Sequence, residues 1–275
     1  MDDLKRLIQN WVPPIVLSLV RRVYTGHGYF GNYSNWEAAR RASSGYDAEH
    51  ILDKVKEALL KVKRGEAAYE RDSVLFDRIE YSWPVLAGLL WVASQSGNRL
   101  NVLDFGGSLG STYFQNKKFL SHLEEFHWNV VEQPHFVRCG QENFQDETIR
   151  FYASIKDCLS DNNPSVLILA GVLAYLEDVD GILASMLGQN FPYIILDRTH
   201  LVSEGEDRIT VQRVPTWIYK ASYPCRFFNE TRLLSLFAAA GYELTEDFVN
   251  SDRANIPSVF KGFIFKRCLP SVENS

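Results

Sequence analysis

Short apolar segments that alternate with helical segments after residue 98 constrain the fold more than any other feature of the sequence. The apolar segments predicted to be strands are LNVLDF, FHWNVVE, IRFYA, SVLILA and YIILD. Helical candidates begin between them near Ser111, Pro134 and Asp178. Parallel strands need long crossover connections, which are usually helices. The pattern therefore predicts an α/β fold with a Rossmann-like, doubly wound and mostly parallel sheet.

The segments at the two ends of this pattern complete the predicted architecture. Asn229 to Ala240 has helical spacing, and YELTEDFV and VFKGFIFKR then alternate as a strand pair that closes the sheet at an antiparallel edge. Before the pattern, two helices are predicted from about Asp47 to Arg64 and from Trp83 to before Gly97. We therefore predict a helical N-terminal cap over residues 1–97 and a cofactor-binding domain over residues 98–275.

Composition limits the partners that such a chain can have. A chain of 275 residues that is 46% hydrophobic can bury one sizeable core or two unequal ones. A formal net charge of −5 without a long basic run gives no electrostatic footprint for nucleic acid. The four cysteines form no metal-binding pattern, which favours reduced structural thiols and no bound metal. We expect a cytoplasmic protein.

An apolar stretch, WVPPIVLSLV, lies near the N-terminus. It is about half as long as the ~20 residues needed to cross a bilayer, so we expect no stable membrane insertion. The stretch is predicted to be a short helix packed on the body of the protein. Contact with a membrane interface is the alternative.

The segment NVLDFGGSLGST is the most informative stretch for function. It joins an apolar strand that ends in an acid to a glycine-rich turn that opens a helix. Gly106, Gly107 and Gly110 permit positive φ, and a ligand can approach the main chain where no Cβ intervenes. The helix N-terminus suits an anionic group of a cofactor. This turn, with Ser108 in it, is a predicted cofactor site, and a tight turn without a ligand is the structural alternative.

An acid at the end of the next strand strengthens this interpretation. Glu132 closes that strand in VVEQP, and Gln133 follows it. The acid falls about 20 residues beyond the last glycine, which is the spacing at which a carboxylate binds ribose hydroxyls. A surface glutamate at a strand end is the alternative. We predict that both residues belong to the cofactor site.

Asp104 bears on the choice of cofactor. It precedes the first glycine by two residues, where a carboxylate would repel the pyrophosphate of a dinucleotide and attract the ammonium group of a methionine moiety. Neither the phosphate-loop pattern nor the full G-x-G-x-x-G pattern is present. We therefore expect S-adenosylmethionine, with Asp104 near it. NAD, in an oxidoreductase acting on a nucleotide sugar, is the alternative.

Two motifs now resemble a known family. DFGGSLG resembles motif I of the class I S-adenosylmethionine-dependent methyltransferases, and VVEQP resembles their ribose-binding strand end. The motif departs from the common pattern at Ser108, where the family has glycine. The resemblance covers residues 98 to 268 and implies a seven-stranded sheet whose last strand is antiparallel. By position it also implies that Ala153 and Ser154 border adenine.

The resemblance implies further that Ala170, Gly171 and Val172 line the methyl site. A wider resemblance spans nearly the whole chain, through GYFGNYSNWEAARRASSGYD, GEAAYERDSVLFD, LAGVLAYLED and LDRTHL. These segments are similar to an uncharacterised bacterial group of methyltransferases whose members tend to be associated with surface-polysaccharide biosynthesis. It implies a fold and a cofactor rather than a particular acceptor.

A hydroxyl acceptor would need a base to remove its proton. His200 and Asp197 are the candidates at the end of LDRTH, and His200 comes first because its ordinary pKa is near neutral. Tyr175 and Glu177, just beyond the fourth strand, are further candidates. The alternative for His200 is a hydrogen bond within a loop.

A dense series of aromatic and charged residues before residue 73 is predicted to form a lid or acceptor platform. Aromatic faces pack on sugar rings, and arginine pairs with acidic groups. Packing of helices on the sheet is the alternative. The series comprises Tyr29, Tyr33, Trp36, Tyr46, Tyr69, Glu70, Arg71 and Asp72. The aromatic segment from Trp217 to Phe228 is predicted to face it.

We therefore expect methyl transfer from S-adenosylmethionine to a small-molecule or carbohydrate-linked acceptor. A non-catalytic module that keeps the nucleotide pocket within a polysaccharide assembly system is the alternative from another class. An enzyme releases S-adenosylhomocysteine, whereas a binding module retains its ligand.

Overall fold

A computed structural model of the protein describes residues 26–45, 48–71 and 73–268. The apolar stretch predicted to be a short N-terminal helix lies outside these ranges, as do Tyr46 and Asp72. The strands are β1 Gly28–Tyr33, β2 Tyr69–Arg71, β3 Val74–Phe76, β4 Arg99–Phe105, β5 Glu125–Val131, β6 Ile149–Tyr152, β7 Val166–Ala170, β8 Tyr193–Val202, β9 Arg208–Arg213, β10 Ser222–Phe227, β11 Tyr242–Val249 and β12 Ser258–Arg267.

Helices connect most of these strands. They are α1 Trp36–Arg41, α2 Ala48–Lys63, α3 Trp83–Gln95, α4 Ser111–Leu120, α5 Pro134–Asn143, α6 Ile155–Asp161, α7 Val179–Leu187 and α8 Glu230–Ala239. A single 3-10 turn, Leu173–Tyr175, follows β7. Side chains supply several caps: Ser154 accepts from the Asp157 amide at the start of α6, and Asn229 accepts from the Arg232 amide at the start of α8.

Seven strands form the main sheet in the order β11–β12–β8–β7–β4–β5–β6. The five strands from β4 to β8 run parallel to their neighbours, and β12 runs antiparallel to both β8 and β11. The predicted doubly wound, mostly parallel seven-stranded sheet with an antiparallel last strand is thereby confirmed. Strand order reverses between β4 and β7, and ligands of such sheets bind at the carboxyl ends beside that reversal.

A second sheet lies at the carboxyl end of the first and was not predicted. It has the order β1–β9–β10, and Tyr29 in β1 pairs with Gln212 in β9. β2 and β3 form a separate two-stranded hairpin. Residues before 98 therefore contribute strands as well as helices, so the description of this region as a helical cap is incomplete. The predicted division at residue 97 remains a prediction.

The two predicted N-terminal helices pack into one face of the main sheet. Leu59 in α2 and Leu89 and Val92 in α3 are fully buried in the same cluster as Val102 of β4. α3 lies very close to the sheet, because a Cβ at Gly88 would be 2.9 Å from Ile264 Cδ1. These helices therefore share their core with the strands that carry the glycine turn.

Two sequence expectations concern the state of the cysteines and the membrane-spanning capacity of the helices. Of the four cysteines, three are buried, Cys268 is exposed, and all are free. Among the described residues, no helix combines the length and the apolar character needed to span a bilayer.

Candidate functional site

A cavity of about 980 Å³ opens at the carboxyl ends of β4, β5, β7 and β8. The main sheet forms its floor and the β1–β9–β10 sheet forms part of its wall. The structure brings to its lining many residues singled out in the sequence. They are Tyr29, Trp36, Tyr69, Glu70, Arg71, Gly106, Gly107, Ser108, Glu132, Gln133, Ala153, Ala170, Gly171, Val172, Tyr175 and His200.

The glycine turn forms one side of this cavity. Gly106 has φ of +72°, and a Cβ there would lie 2.4 Å from Val172 Cγ2. The expectation of positive φ was wrong for Gly107, whose constraint is instead steric: a Cβ there would lie 2.4 Å from Asp104 Oδ2. Ser108 takes the left-handed position with φ of +55°. The residue that departs from the family motif thus occupies a conformation that favours glycine.

Asp104 lies beneath this turn and is completely buried. Its Oδ2 accepts a hydrogen bond from Trp128 Nε1 at 3.1 Å, while Oδ1 is buried with no hydrogen-bond partner among the described residues. Burial raises the pKa of Asp104 to about 7, with a smaller contribution from the charge of Glu132. It does not line the cavity directly, so a positive charge in the cavity would act on it through the turn.

Glu132 lies at the end of β5 and faces the turn. Its Oε1 accepts from the Ser108 amide at 3.2 Å, and Oε2 accepts from the Gln133 amide at 2.7 Å. Burial raises its pKa, and these two amide bonds oppose the rise. Each carboxylate oxygen keeps a further acceptor site toward the cavity. The carboxylate is thus held by the main chain and can accept hydroxyl groups.

Several predicted site residues do not line the cavity. Gly110, at φ of +97°, begins α4, and a Cβ there would meet Ile149 Cδ1 at 2.6 Å, so its role is packing. Ser154 is engaged as the cap of α6, where its hydroxyl also donates to Asp157. Tyr33 belongs to β1 beyond the cavity.

The two carboxyl candidates for a base are also placed elsewhere. Asp197 is buried, and its Oδ1 accepts from Asn250 Nδ2 at 2.9 Å. Burial raises its pKa. Glu177 is exposed and pairs with Arg40 at 3.2 Å. Neither carboxylate lines the cavity, so the geometry supports neither as the proton acceptor.

His200 does line the cavity, but its surroundings differ from those expected. Its side chain is 4% exposed and sits among the rings of Tyr29, Tyr175, Phe227 and Phe260. Burial, reinforced by the charge of Arg198, lowers its pKa to about 3. The near-neutral pKa expected for His200 from the sequence is therefore wrong, and the imidazole is neutral at pH 7.

The β1–β9–β10 sheet presents a cross-strand row to the cavity. Tyr29, Gln212 and Tyr223 are paired across the three strands, and all three line the cavity. The Tyr175 hydroxyl donates to Gln212 Oε1 at 2.7 Å. Aromatic rings and an oriented amide thus form a neutral part of the cavity wall. The predicted facing segment supplies Tyr223, together with Ile218 and Tyr219.

Arg198 is a cavity residue that sequence reasoning missed. It has φ of +52° at a register shift between β8 and β12, which is the geometry of a β-bulge. A Cβ at Gly171 would be 3.4 Å from the Arg198 guanidinium, which places this cation at the predicted methyl site. The available signal was its position in LDRTH, between the predicted bases Asp197 and His200. No sequence signal indicated Gln212, because strand pairing brings it to the cavity.

Comparisons with known proteins give structural matches only: no protein-family model and no curated protein sequence matches the chain. The N-terminal domain of EvdMO1, solved in the presence of S-adenosylhomocysteine and D-fucose, matches at 14% identity and a TM-score of 0.48, over 82% of this chain and 98% of that one. Magnesium protoporphyrin IX methyltransferase from Synechocystis, with bound S-adenosylmethionine, matches at 11% identity and a TM-score of 0.45, over 82% and 99%.

A third match is the 1,6-didemethyltoxoflavin N1-methyltransferase of Burkholderia thailandensis, solved with 1,6-didemethyltoxoflavin and S-adenosylhomocysteine. It has 14% identity and a TM-score of 0.42, over 82% of this chain and 92% of that one. S-adenosylmethionine-dependent methyltransferases with different substrates are thus among the structures that this chain is similar to, at low identity.

Proposed function

We propose that the protein transfers a methyl group from S-adenosylmethionine to a small-molecule or carbohydrate-linked acceptor. The observation that carries the proposal is the Glu132 carboxylate, fixed by the Ser108 amide beside the turn at Gly106. A carboxylate at this place accepts ribose hydroxyls, and the turn allows close approach to the main chain. The reaction class follows from the cofactor that this pair of features fits.

The residues fit S-adenosylmethionine better than a dinucleotide. Glu132 would hold the ribose, the main chain at Gly106 and Gly107 would meet the methionine end, and Ala153 would border adenine. Asp104, buried with one oxygen lacking a partner among the described residues, suits an ammonium group nearby. A pyrophosphate at the turn would lie beside the Glu132 carboxylate and above the buried carboxyl group of Asp104. When bound, the cofactor supplies an electrophilic methyl group on a sulfonium.

The remaining cavity is suited to a hydroxyl-bearing acceptor. The volume of about 980 Å³ is at the upper end of the ~300–1,000 Å³ of common ligand pockets, which leaves room for two molecules. The neutral row of Tyr29, Gln212 and Tyr223 offers aromatic faces and polar groups that match a sugar ring. The protein contributes chiefly by holding the acceptor oxygen in line with the methyl group.

Calorimetry on the purified chain tests this assignment. We expect saturable binding of S-adenosylmethionine and S-adenosylhomocysteine and none of NAD. NAD binding without the other two would favour the oxidoreductase. Release of S-adenosylhomocysteine in the presence of methyl glycosides would separate an enzyme from a module that only binds. Glycosyltransferase genes beside this gene would support a role in surface-polysaccharide biosynthesis.

Replacing Gly106 tests the pocket itself. Gly106→Leu places a side chain against Val172 at a residue with φ of +72°, so we expect S-adenosylhomocysteine affinity to fall at least 100-fold in calorimetry. Gly205→Leu is the matched control, because Gly205 has φ of +85° but nothing within 4 Å of its Cβ position. Undiminished affinity in Gly106→Leu, with the control folded, would mean that the pocket lies elsewhere.

A further inference from the structure

The geometry points to Tyr29 as the group that contacts the acceptor hydroxyl, with His200 receiving the proton through it. This inference rests on the proposed function and adds a catalytic residue to it. The Tyr29 hydroxyl and His200 Nε2 are 3.2 Å apart, and both side chains line the cavity. They come from strands of different sheets and are 171 residues apart in sequence.

The contacts of the imidazole with the described residues favour a proton route through Nε2. His200 Nδ1 is buried and has no hydrogen-bond partner among the described residues. Four aromatic rings surround the imidazole, with the Phe260 centroid at 4.5 Å. Among the described residues, Nε2 has a hydrogen-bond partner and Nδ1 has none, and the partner of Nε2 is the Tyr29 hydroxyl. A proton taken from an acceptor in the cavity therefore reaches the ring through the tyrosine oxygen.

The position of Tyr29 is fixed by its main chain. Its amide donates to Asn255 Oδ1 at 2.7 Å, and its carbonyl accepts from Asn255 Nδ2 at 2.9 Å. On the other side, β1 is paired with β9 at Gln212. The Phe227 ring stands at 88° to the Tyr29 ring, with centroids 4.9 Å apart. This support from three directions holds the hydroxyl at His200 before any ligand binds, which is the preorganisation a proton transfer needs.

The step balances in atoms and charge. The acceptor O–H bond breaks and its proton joins Tyr29 Oη, while the Tyr29 O–H bond breaks and its proton joins His200 Nε2. The acceptor oxygen forms a bond to the methyl carbon, and the carbon–sulfur bond breaks with its electron pair going to sulfur. One positive charge disappears at sulfur as one appears on the imidazole. The charge in the cavity is thus conserved, which favours protonation of a ring that burial otherwise keeps neutral.

The tautomer of His200 tests the relay without any acceptor. We expect ¹⁵N NMR of the full chain with labelled histidines, in the presence of S-adenosylhomocysteine, to show Nδ1 protonated and Nε2 bare. The signals are assigned by their loss in His200→Gln. In Tyr29→Phe, the Nε2 resonance should move because its hydrogen-bond donor is gone. A protonated Nε2 in the wild type would overturn the relay, since it could not receive a proton.

Turnover supplies the second readout. With methyl hexopyranosides as acceptor probes, Tyr29→Phe should lower kcat about 100-fold or more and leave S-adenosylhomocysteine affinity unchanged. Tyr33→Phe, the same change in β1 outside the cavity, should keep wild-type turnover. Wild-type turnover in Tyr29→Phe would overturn the relay alone. Failure of the wild type to bind S-adenosylhomocysteine would instead overturn the proposed function. The tautomer of His200 would then still show whether the Tyr29 hydroxyl donates to Nε2.

Discussion

Asp104 is a buried carboxyl group beneath the glycine turn, and its burial lowers the stability of the folded protein at neutral pH. A carboxyl whose pKa is raised stays protonated in the folded protein at pH values where the unfolded chain has lost the proton. Stability therefore falls as the pH rises from about 4 toward the folded pKa of about 7, and the loss is complete above it. The protein keeps a group that opposes folding, which is typical of functional sites.

Asp104→Asn should remove this loss. Because the amide oxygen still accepts from Trp128 and carries no charge, we expect the variant to be more stable than the wild type at pH 8, by up to about 4 kcal/mol. The difference should vanish near pH 4. Urea denaturation at both pH values measures it, and Asp161→Asn, at an exposed carboxyl, serves as the control. Equal stability at pH 8 would contradict the raised pKa.

Binding of an ammonium group near Asp104 should be coupled to its ionisation. A nearby positive charge lowers the pKa of the carboxyl, so binding of S-adenosylhomocysteine at pH 7 should release about half a proton. Calorimetry in two buffers of different ionisation enthalpy measures this release. Asp104→Asn should bind more weakly and release none. The same proton release in the variant would assign it to another group.

At this scale the sequence predicted the arrangement of the residues around the glycine turn better than the surroundings of His200. Glu132 and the glycines follow one another along a single strand-turn-helix unit, so their spacing carries their geometry. The pairing of Tyr29 with His200 depends on two sheets meeting, which no local pattern encodes. His200 was predicted to be the base because the ordinary pKa of histidine is near neutral. In the folded protein, burial among aromatic rings lowers this pKa to about 3.

β1 is held in place by residues that are distant in the sequence. It is six residues long, and its backbone bonds go to β9 on one side and to the Asn255 side chain on the other. Gly28, with φ of +119°, allows this approach, because a Cβ there would lie 2.6 Å from Asn255 Oδ1. The Asn255 side chain thus bonds both the amide and the carbonyl of Tyr29 in this strand.

Asn255→Ala should loosen this strand locally. It removes two hydrogen bonds to Tyr29, each worth roughly 1 kcal/mol, and the Tyr29 amide should exchange with solvent at least tenfold faster. Residue-resolved hydrogen exchange measures this, and the Tyr33 amide in the same strand is the internal reference. Unchanged protection at Tyr29 would mean that pairing with β9 is sufficient.

The sequence predicted the elements of the main sheet and missed those of the second sheet for one physical reason. β4 to β8 and β12 have apolar or alternating patterns because at least one face is buried, whereas β11 is largely exposed apart from Tyr242. β1 has no buried residue and contains two glycines, β9 begins and ends with arginine, and β10 contains Pro224. β1 pairs with β9 across about 180 residues, and a local pattern does not report such pairing.

At the scale of the whole molecule, residues before and after 98 share one core. Leu59, Leu89 and Val92 are buried in the cluster that contains Val102 and Ile195. Removing α2 and α3 would expose an apolar face of the main sheet. The division at residue 97 can therefore separate functions while both parts fold together.

A fragment of residues 98–275 should fail to fold cooperatively, since it lacks one layer over the sheet. We expect broad thermal unfolding in near-UV circular dichroism and self-association in sedimentation. The full chain is the control and should unfold in one sharp transition. A monomeric 98–275 fragment with a sharp transition would show that the region after 97 folds independently.

The contact between Tyr29 and Asn255 also sets an order of events during synthesis. The first strand described in the chain cannot receive its second row of hydrogen bonds until residue 255 has emerged from the ribosome. The floor of the cavity, from β4 to β8, can assemble earlier. A nascent chain would therefore form the floor of the cavity before the main chain of Tyr29 is held in place, and a chain that ends before residue 255 would lack this support.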